Sequence, residues 1–294
     1  MRHFKLAQLG LAAAALVAAS AASAAPITTW NYTVASWFGN GAGAPATSST
    51  GTGTGQSAGD GTTTFVPSRS SGPTAAANPD SSWSISANQL DWGRVGGTVA
   101  NGQRSALTIT QTPKVGTVTT GLGFANANTY THFNGSNLTN DSWTLKSTTI
   151  NAELTLTAPG VAKEFKAAYK VSFVETPNNA TTCPTAGTDS PTQLCSDIFV
   201  IFGSLGEPFT YDGYSYSFNF SATPAFNLND AQCLLATGAT GCLGFSTYER
   251  TNTPVTFQFA LNATEIPEPA SIALLGAGLL GLAGIRRRQQ KNKA

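Results

Sequence analysis

Between residues 82 and 263 the apolar positions recur with a period of two rather than a helical period. Phe165, Ala167, Tyr169, Val171 and Phe173 alternate with Lys166, Ala168, Lys170 and Ser172. That pattern predicts a half-buried strand, despite helix formers at its start. Residues 143–157 alternate more weakly and are rich in Thr, which suits a pleated surface. Asp197 to Phe202 is a short apolar run and reads as a central strand. Phe209 to Tyr211 and Tyr214 to Phe220 flank Asp212-Gly213, and an Asp-Gly pair between such runs predicts a hairpin. Val255, Phe257, Phe259 and Leu261 alternate after Pro254. Ile27 to Phe38, rich in Thr, Trp, Tyr and Val, reads as a first strand. The best helix candidate is short, Asn229 to Ala236, with Asn229 as its cap.

Residues 39–80 break this pattern. Gly, Ser, Thr and Ala dominate there, and Phe65 and Val66 are among the few apolar side chains. Such a segment buries too little apolar surface to offset its ordering entropy, so most of it is expected to be a flexible loop or linker. The many short strands around it predict an all-β fold. Residues 25–264 are expected to form one antiparallel β-sandwich or jelly-roll-like domain. A barrel is the alternative.

The two ends read differently. Residues 1–24 have basic Arg2 and Lys5, an apolar stretch from Leu9 to Ala22, and the small-residue site Ala22-Ser23-Ala24 before Ala25. This predicts a signal peptide handled by the Sec translocon and signal peptidase. At the other end, within residues 265–294, Ile266-Pro267-Glu268-Pro269 precedes an uncharged run, residues 270–285. As a helix that run would be ~24 Å long, a little under a ~30 Å hydrocarbon core, and it is expected to form one transmembrane helix. Its Gly276 to Gly281 stretch spells G-x-G-x-x-G, but it lacks the preceding strand and following acid of a dinucleotide site. The tail 286–294 opens with Arg286-Arg287-Arg288, and a basic stop places that end in the cytoplasm. The prolines hold the Pro267-Glu268-Pro269 triplet extended.

This C-terminal arrangement resembles the PEP-CTERM sorting signal of Gram-negative bacteria. The resemblance implies recognition by an exosortase, a transient inner-membrane intermediate, and delivery to the periplasm, outer surface or extracellular matrix. It also implies a setting in which exopolysaccharide is made.

Residues 25–264 carry nine basic and thirteen acidic side chains, a net charge of −4. That balance excludes the basic footprint of a nucleic-acid binder. The four cysteines, Cys183, Cys195, Cys233 and Cys242, form two local pairs and no C-x-x-C. Four cysteines allow three connectivities. Proximity favours Cys183–Cys195 and Cys233–Cys242, and an oxidising compartment permits both. A zinc site is the competing reading, but the spacings do not resemble a zinc ribbon.

Candidate chemistry is sparse. After leader removal His132 is the only histidine left, which excludes H-E-x-x-H zinc sites and multi-histidine copper sites. A Ser-His-Asp triad would have to use His132. Thr131 and Asn134 flank His132, and such residues favour local backbone bonds, so His132 is expected to brace a turn, with ligand contact as the alternative. Asp189, Asp197, Glu207, Asp212 and Asp230 are scattered and read as loop acids. No spacing marks a carboxylate pair or a calcium loop. Tyr214, Tyr216, Phe218 and Phe220 share one face of their strand, which reads as core. Tyr211, on the opposite strand, is the other candidate ligand contact. No catalytic residue, metal or cofactor is expected.

Leu90-Asp91-Trp92-Gly93, Thr131-His132-Phe133-Asn134, Tyr211-Asp212-Gly213-Tyr214 and Cys242-Leu243-Gly244-Phe245 occur in that order. Together they resemble the THxN family of PEP-CTERM proteins, with Trp92, Gly93, Thr131, His132 and Asn134 as its motif residues. The resemblance implies an exported protein and carries no mechanism. The functional expectation is a non-enzymatic surface or matrix protein of a biofilm, associated with exopolysaccharide. A polysaccharide hydrolase with a carboxylate pair and a carbohydrate-binding module are the alternatives.

Overall fold

A computed structural model describes residues 25–39, 49–51, 56–57, 62–67, 81–110, 112–135, 142–176, 183, 195–203, 208–224, 228–267, 276, 278–279 and 281–283. The expected signal peptide, residues 1–24, lies outside the described residues. The chain divides into a larger unit, residues 28–207 and 218–262, and a smaller one, residues 1–27, 208–217 and 263–294.

The larger unit is built from two antiparallel sheets. In the first, the order is β15 (Leu243–Thr247), β12 (Asp197–Phe202), β11 (Val161–Val174), β10 (Trp143–Ala158), β1 (Thr29–Phe38) and β8 (Lys114–Thr119). β4 (Thr64–Pro67) pairs with the start of β10 and carries β3 (Gln56–Ser57). In the second, the order is β14 (Tyr214–Thr223), β16 (Asn252–Glu265), β9 (Ala125–Phe133), β7 (Arg104–Thr110), β6 (Gln89–Arg94), β5 (Ser81–Ile85) and β2 (Ser49–Gly51). β14 enters the larger unit at Phe218 and β16 leaves it after Asn262.

Alternation creates the layers. In β1, Trp30, Tyr32, Val34, Ser36 and Phe38 are buried and their neighbours are less so. In β11, Tyr169, Val171 and Phe173 are buried while Lys166, Ala168 and Lys170 are exposed. The inner faces share one core that joins Ile150, Val171, Phe173 and Phe199 of the first sheet to Ile85, Leu90, Trp92 and Leu107 of the second. Hydrogen bonds also cross between sheets. Tyr32 donates to the Asn126 carbonyl at 2.6 Å, and Ser36 donates to Asn128 Oδ1 at 2.7 Å.

Two readings change here. Three short strands, β2, β3 and β4, fall within the segment 39–80 that was expected to be mostly loop or linker. Phe65 is fully buried and stacks on Trp83 at 5.0 Å and 9°. One large aromatic at a strand position anchors a stretch whose average composition hides it. The aromatic face of β14 is also only partly core. Phe218 packs edge-on against Phe165, but Phe220 is 36% exposed.

α1 (Asp230–Thr237) follows the predicted cap. Asn229 Oδ1 accepts from the Gln232 N–H, and Gln232 Oε1 accepts from the Asn229 N–H, both at 2.9 Å. This is a capping box that satisfies two of the open donors of the first turn. Gly238 closes the helix at φ 76°, a left-handed position that favours glycine. The disulfides pair as expected, Cys183–Cys195 and Cys233–Cys242, with Cα atoms 5.2 and 5.5 Å apart.

In the smaller unit, β13 (Phe209–Tyr211) and the first residues of β14 form the predicted hairpin. Asp212 and Gly213 have φ 48° and 80°, the two positive values of a type I′ turn. Phe209 stacks on the fully buried Tyr216 at 4.9 Å. The Ile266 N–H donates to the Gly213 carbonyl at 2.8 Å.

Candidate functional site

His132 occupies the penultimate position of β9, with Asn128 and Tyr130 on the same inward face. The expected turn is replaced by a strand: pairing with Leu107 of β7 and Thr253 of β16 on either side sets the backbone, and outweighs the local preferences of Thr131 and Asn134. The imidazole has no exposed surface. It stacks on Trp92 at 5.8 Å and 15°, and meets Phe173 and Phe199 edge-on. Burial among these rings pushes its pKa down to about 3, so the ring is neutral at physiological pH. Nδ1 lies 2.8 Å from Thr247 Oγ1, and Nε2 has no hydrogen-bond partner.

Trp92 and His132 therefore meet in the core, and Asn134 follows just beyond the end of β9. Gly93 continues β6, where its carbonyl accepts from Ser81 Oγ at 3.1 Å. Thr131 is half-buried on the other face of β9. Tyr211 belongs to the smaller unit, half-buried opposite Tyr214, so the two candidate ligand contacts do not share one unit.

Asn134 leads to a group that no sequence spacing announced. Glu175 follows the end of β11, Asp197 begins β12, and Glu249 lies two residues beyond β15. Antiparallel pairing brings these ends together, with Val174 opposite Ile198 and Asp197 opposite Thr247. One carboxylate oxygen from each of the three lies within 4.8 Å of the others. Asp197 opens the predicted strand, but it was also counted among the scattered loop acids expected to be solvated; it is fully buried at the strand's head. Glu249 is equally buried, while Glu175 retains some accessible surface.

The surroundings orient these acids. The Thr176 N–H and Oγ1–H donate to Asp197 Oδ1 at 2.8 and 3.3 Å. Asn134 Nδ2 donates to Asp197 Oδ2 at 2.8 Å, and the same side chain interacts with Glu249. Thr144 Oγ1 donates to Glu175 Oε2 at 3.0 Å. The Trp92 indole N–H interacts favourably with Glu175 but makes no hydrogen bond of ordinary geometry. Burial pushes Glu175 up to about 7. Burial, then repulsion from Glu175, pushes Glu249 up to about 8, with Arg250 opposing. Asp197 is raised well above the usual range by burial and by both glutamates. Three hard oxygen donors at this spacing can hold a cation or share protons.

Beside Asn134 opens a cleft of about 690 Å³, lined among the described residues by Gln89, Asn101, Phe133, Asn134, Arg250 and Asn252, with small residues between. Its walls are amides, one guanidinium and one aromatic ring, which suit a hydroxyl-rich ligand.

The sorting region itself is described only in part. Glu265 ends β16, Ile266 and Pro267 follow, and residues 276, 278–279 and 281–283 are helical; Glu268, Pro269 and Arg286 to Arg288 lie outside the described residues. No helix among the described residues is long and apolar enough to cross a membrane. No curated protein matches the chain. Residues 265–288 match the family model of the PEP-CTERM protein-sorting motif. That motif implies an exported protein that an exosortase sorts to the cell surface.

Proposed function

We propose that the exported domain is a non-catalytic surface or matrix protein of the THxN type, which associates with exopolysaccharide in a biofilm. The sorting motif at 265–288 carries the reading, because it sets the compartment in which the domain works. The amide-lined cleft supplies a place for a glycan. The acids argue against the hydrolase alternative. A retaining pair stands ~5–5.5 Å apart and an inverting pair ~6.5–9.5 Å, across an open cleft. The converging carboxylate oxygens lie within 4.8 Å, and two of the three acids have no accessible surface, so no sugar ring fits between them.

The test is co-sedimentation of the full chain with exopolysaccharide from the producing organism. Saturable binding is expected, reduced at least ~10-fold by a paired Arg250→Ala and Asn252→Ala change, since losing one hydrogen bond to a charged group costs about 1.5–3 kcal/mol. Release of reducing sugar would overturn the non-catalytic reading, and absence of binding would overturn the glycan association.

Sorting has its own readout. Replacing Pro267-Glu268-Pro269 by alanines is expected to retain the protein in the inner membrane with its tail uncleaved. Intact mass of the membrane-extracted chain measures this; a cleaved, surface-delivered triple variant would show that the triplet is dispensable.

A further inference from the structure

We propose that Glu175, Asp197, Glu249 and Asn134 form a calcium-binding site that fastens the two sheets of the larger unit together. The donors are all hard oxygens. Ca²⁺ takes six to eight oxygens at about 2.3–2.6 Å and accepts several protein carboxylates, whereas Mg²⁺ keeps several waters and is usually held by one or two carboxylates. Three carboxylates that each bring one oxygen within 4.8 Å of the others suit the larger, carboxylate-rich ion.

Asn134 gives the second, independent indication. It is 6% exposed, and its Oδ1 has no hydrogen-bond partner, although a buried amide oxygen ordinarily has one. Its amide already reaches Asp197 and Glu249. Half a turn about the terminal bond exchanges N–H₂ for oxygen and adds a fourth ligand from the second sheet. The remaining positions fall to water.

The supporting bonds have the form expected of ligands held in place. Thr176 fixes Asp197 through Oδ1, leaving Oδ2 turned to Asn134. Thr144 holds Glu175 through Oε2. Such outer bonds orient first ligands around a metal. Three carboxylates around a divalent ion leave one net negative charge, and Arg250 acts favourably on Glu249. Glu175, the one acid with accessible surface, marks the path of entry. Asn134 follows β9 of the second sheet while the three acids lie at or just beyond strand ends of the first, so the ion would add a further tie between layers that already share a core and a few hydrogen bonds.

The experiment uses the full chain in mild detergent with its disulfides intact, stripped with EGTA. Adding 1 mM Ca²⁺ is expected to raise the thermal midpoint by about 5 °C or more, as a site filled at ~100 times its Kd would, and equal Mg²⁺ to raise it less. Tb³⁺ is expected to show emission excited through Trp92, displaced by Ca²⁺. Glu249→Gln is expected to weaken Ca²⁺ binding at least tenfold. Glu175→Gln, at the accessible edge, provides a second variant if the first does not fold. An unchanged midpoint with Ca²⁺, an equal response to Mg²⁺, or variants that keep the wild-type response would each overturn the proposal.

Discussion

Replacing Trp92 by alanine is expected to lower the unfolding free energy by about 3–5 kcal/mol, the range for removing a large buried aromatic side chain. Trp92 has no exposed surface and sits on β6 at the centre of an aromatic group. His132 stacks on it at 5.8 Å, Phe173 lies at 5.6 Å and Phe65 at 6.3 Å. These neighbours come from β9, β11 and β4, so no single element can collapse into the space an alanine leaves. The stack also surrounds His132 with ring surface. Removing it lets water reach a neutral imidazole whose Nε2 has no partner, which offsets a small part of the loss. Trp92→Phe, which keeps an apolar ring, should retain more than half of the stability. Urea unfolding of the oxidised protein measures both. A loss below about 1 kcal/mol for Trp92→Ala would mean that the aromatic group does not form the centre of the core.

The strands were legible because their chemistry is local. Phe165 to Phe173 alternate one by one, and one face of β11 is buried over its second half. Asp212-Gly213 demanded positive φ, and both residues have it. Asn229 and Gln232 stand three apart, the spacing of a capping box. The cysteine pairs lie close in sequence, so proximity alone selected their partners. Phe65 was visible as one of the few apolar side chains of 39–80, but a compositional reading gives no weight to where a single aromatic residue stands. His132 was misplaced because Thr131 and Asn134 favour turns locally, while the ladder that fixes β9 comes from Leu107 and Thr253.

The acid group was illegible for a stricter reason. Glu175, Asp197 and Glu249 span 75 residues and share no periodicity. Each lies at or near a strand end, a place where acids are ordinarily solvated. Their convergence depends on registers, with Val174 opposite Ile198 and Asp197 opposite Thr247, and on Asn134 arriving from the other sheet. One local cue existed. Asp197 stands two residues after Cys195, and a disulfide-tethered approach to a strand holds an acid more firmly than an open loop does.

That convergence makes stability depend on pH in an unusual direction. In excess chelator, the protein is expected to become less stable as pH rises from 6.5 to 8.5. Glu175 and Glu249 begin near 4.5 in the unfolded chain and are pushed up to about 7 and 8 in the fold; Asp197, ordinarily near 3.8, is also raised. Across this window the folded state binds protons that the unfolded state has already lost. Their contribution is complete at low pH and disappears as pH climbs through the folded values. His132 acts oppositely. Its pKa is lowered to about 3 from 6.5, so its neutral ring opposes folding only as pH falls below 6.5. Between about 4 and 6.5 the two effects compete, and above 6.5 the acids act alone. Two glutamates titrating between 6.5 and 8 change stability by about 2 kcal/mol, or roughly 4–8 °C in thermal midpoint. Glu249→Gln removes the largest part of that slope, because its shift extends furthest into the window. A midpoint that stays level or rises from pH 6.5 to 8.5 in chelator would mean that the carboxyls ionise in the fold as they do in water, and that the three acids are not held together as described.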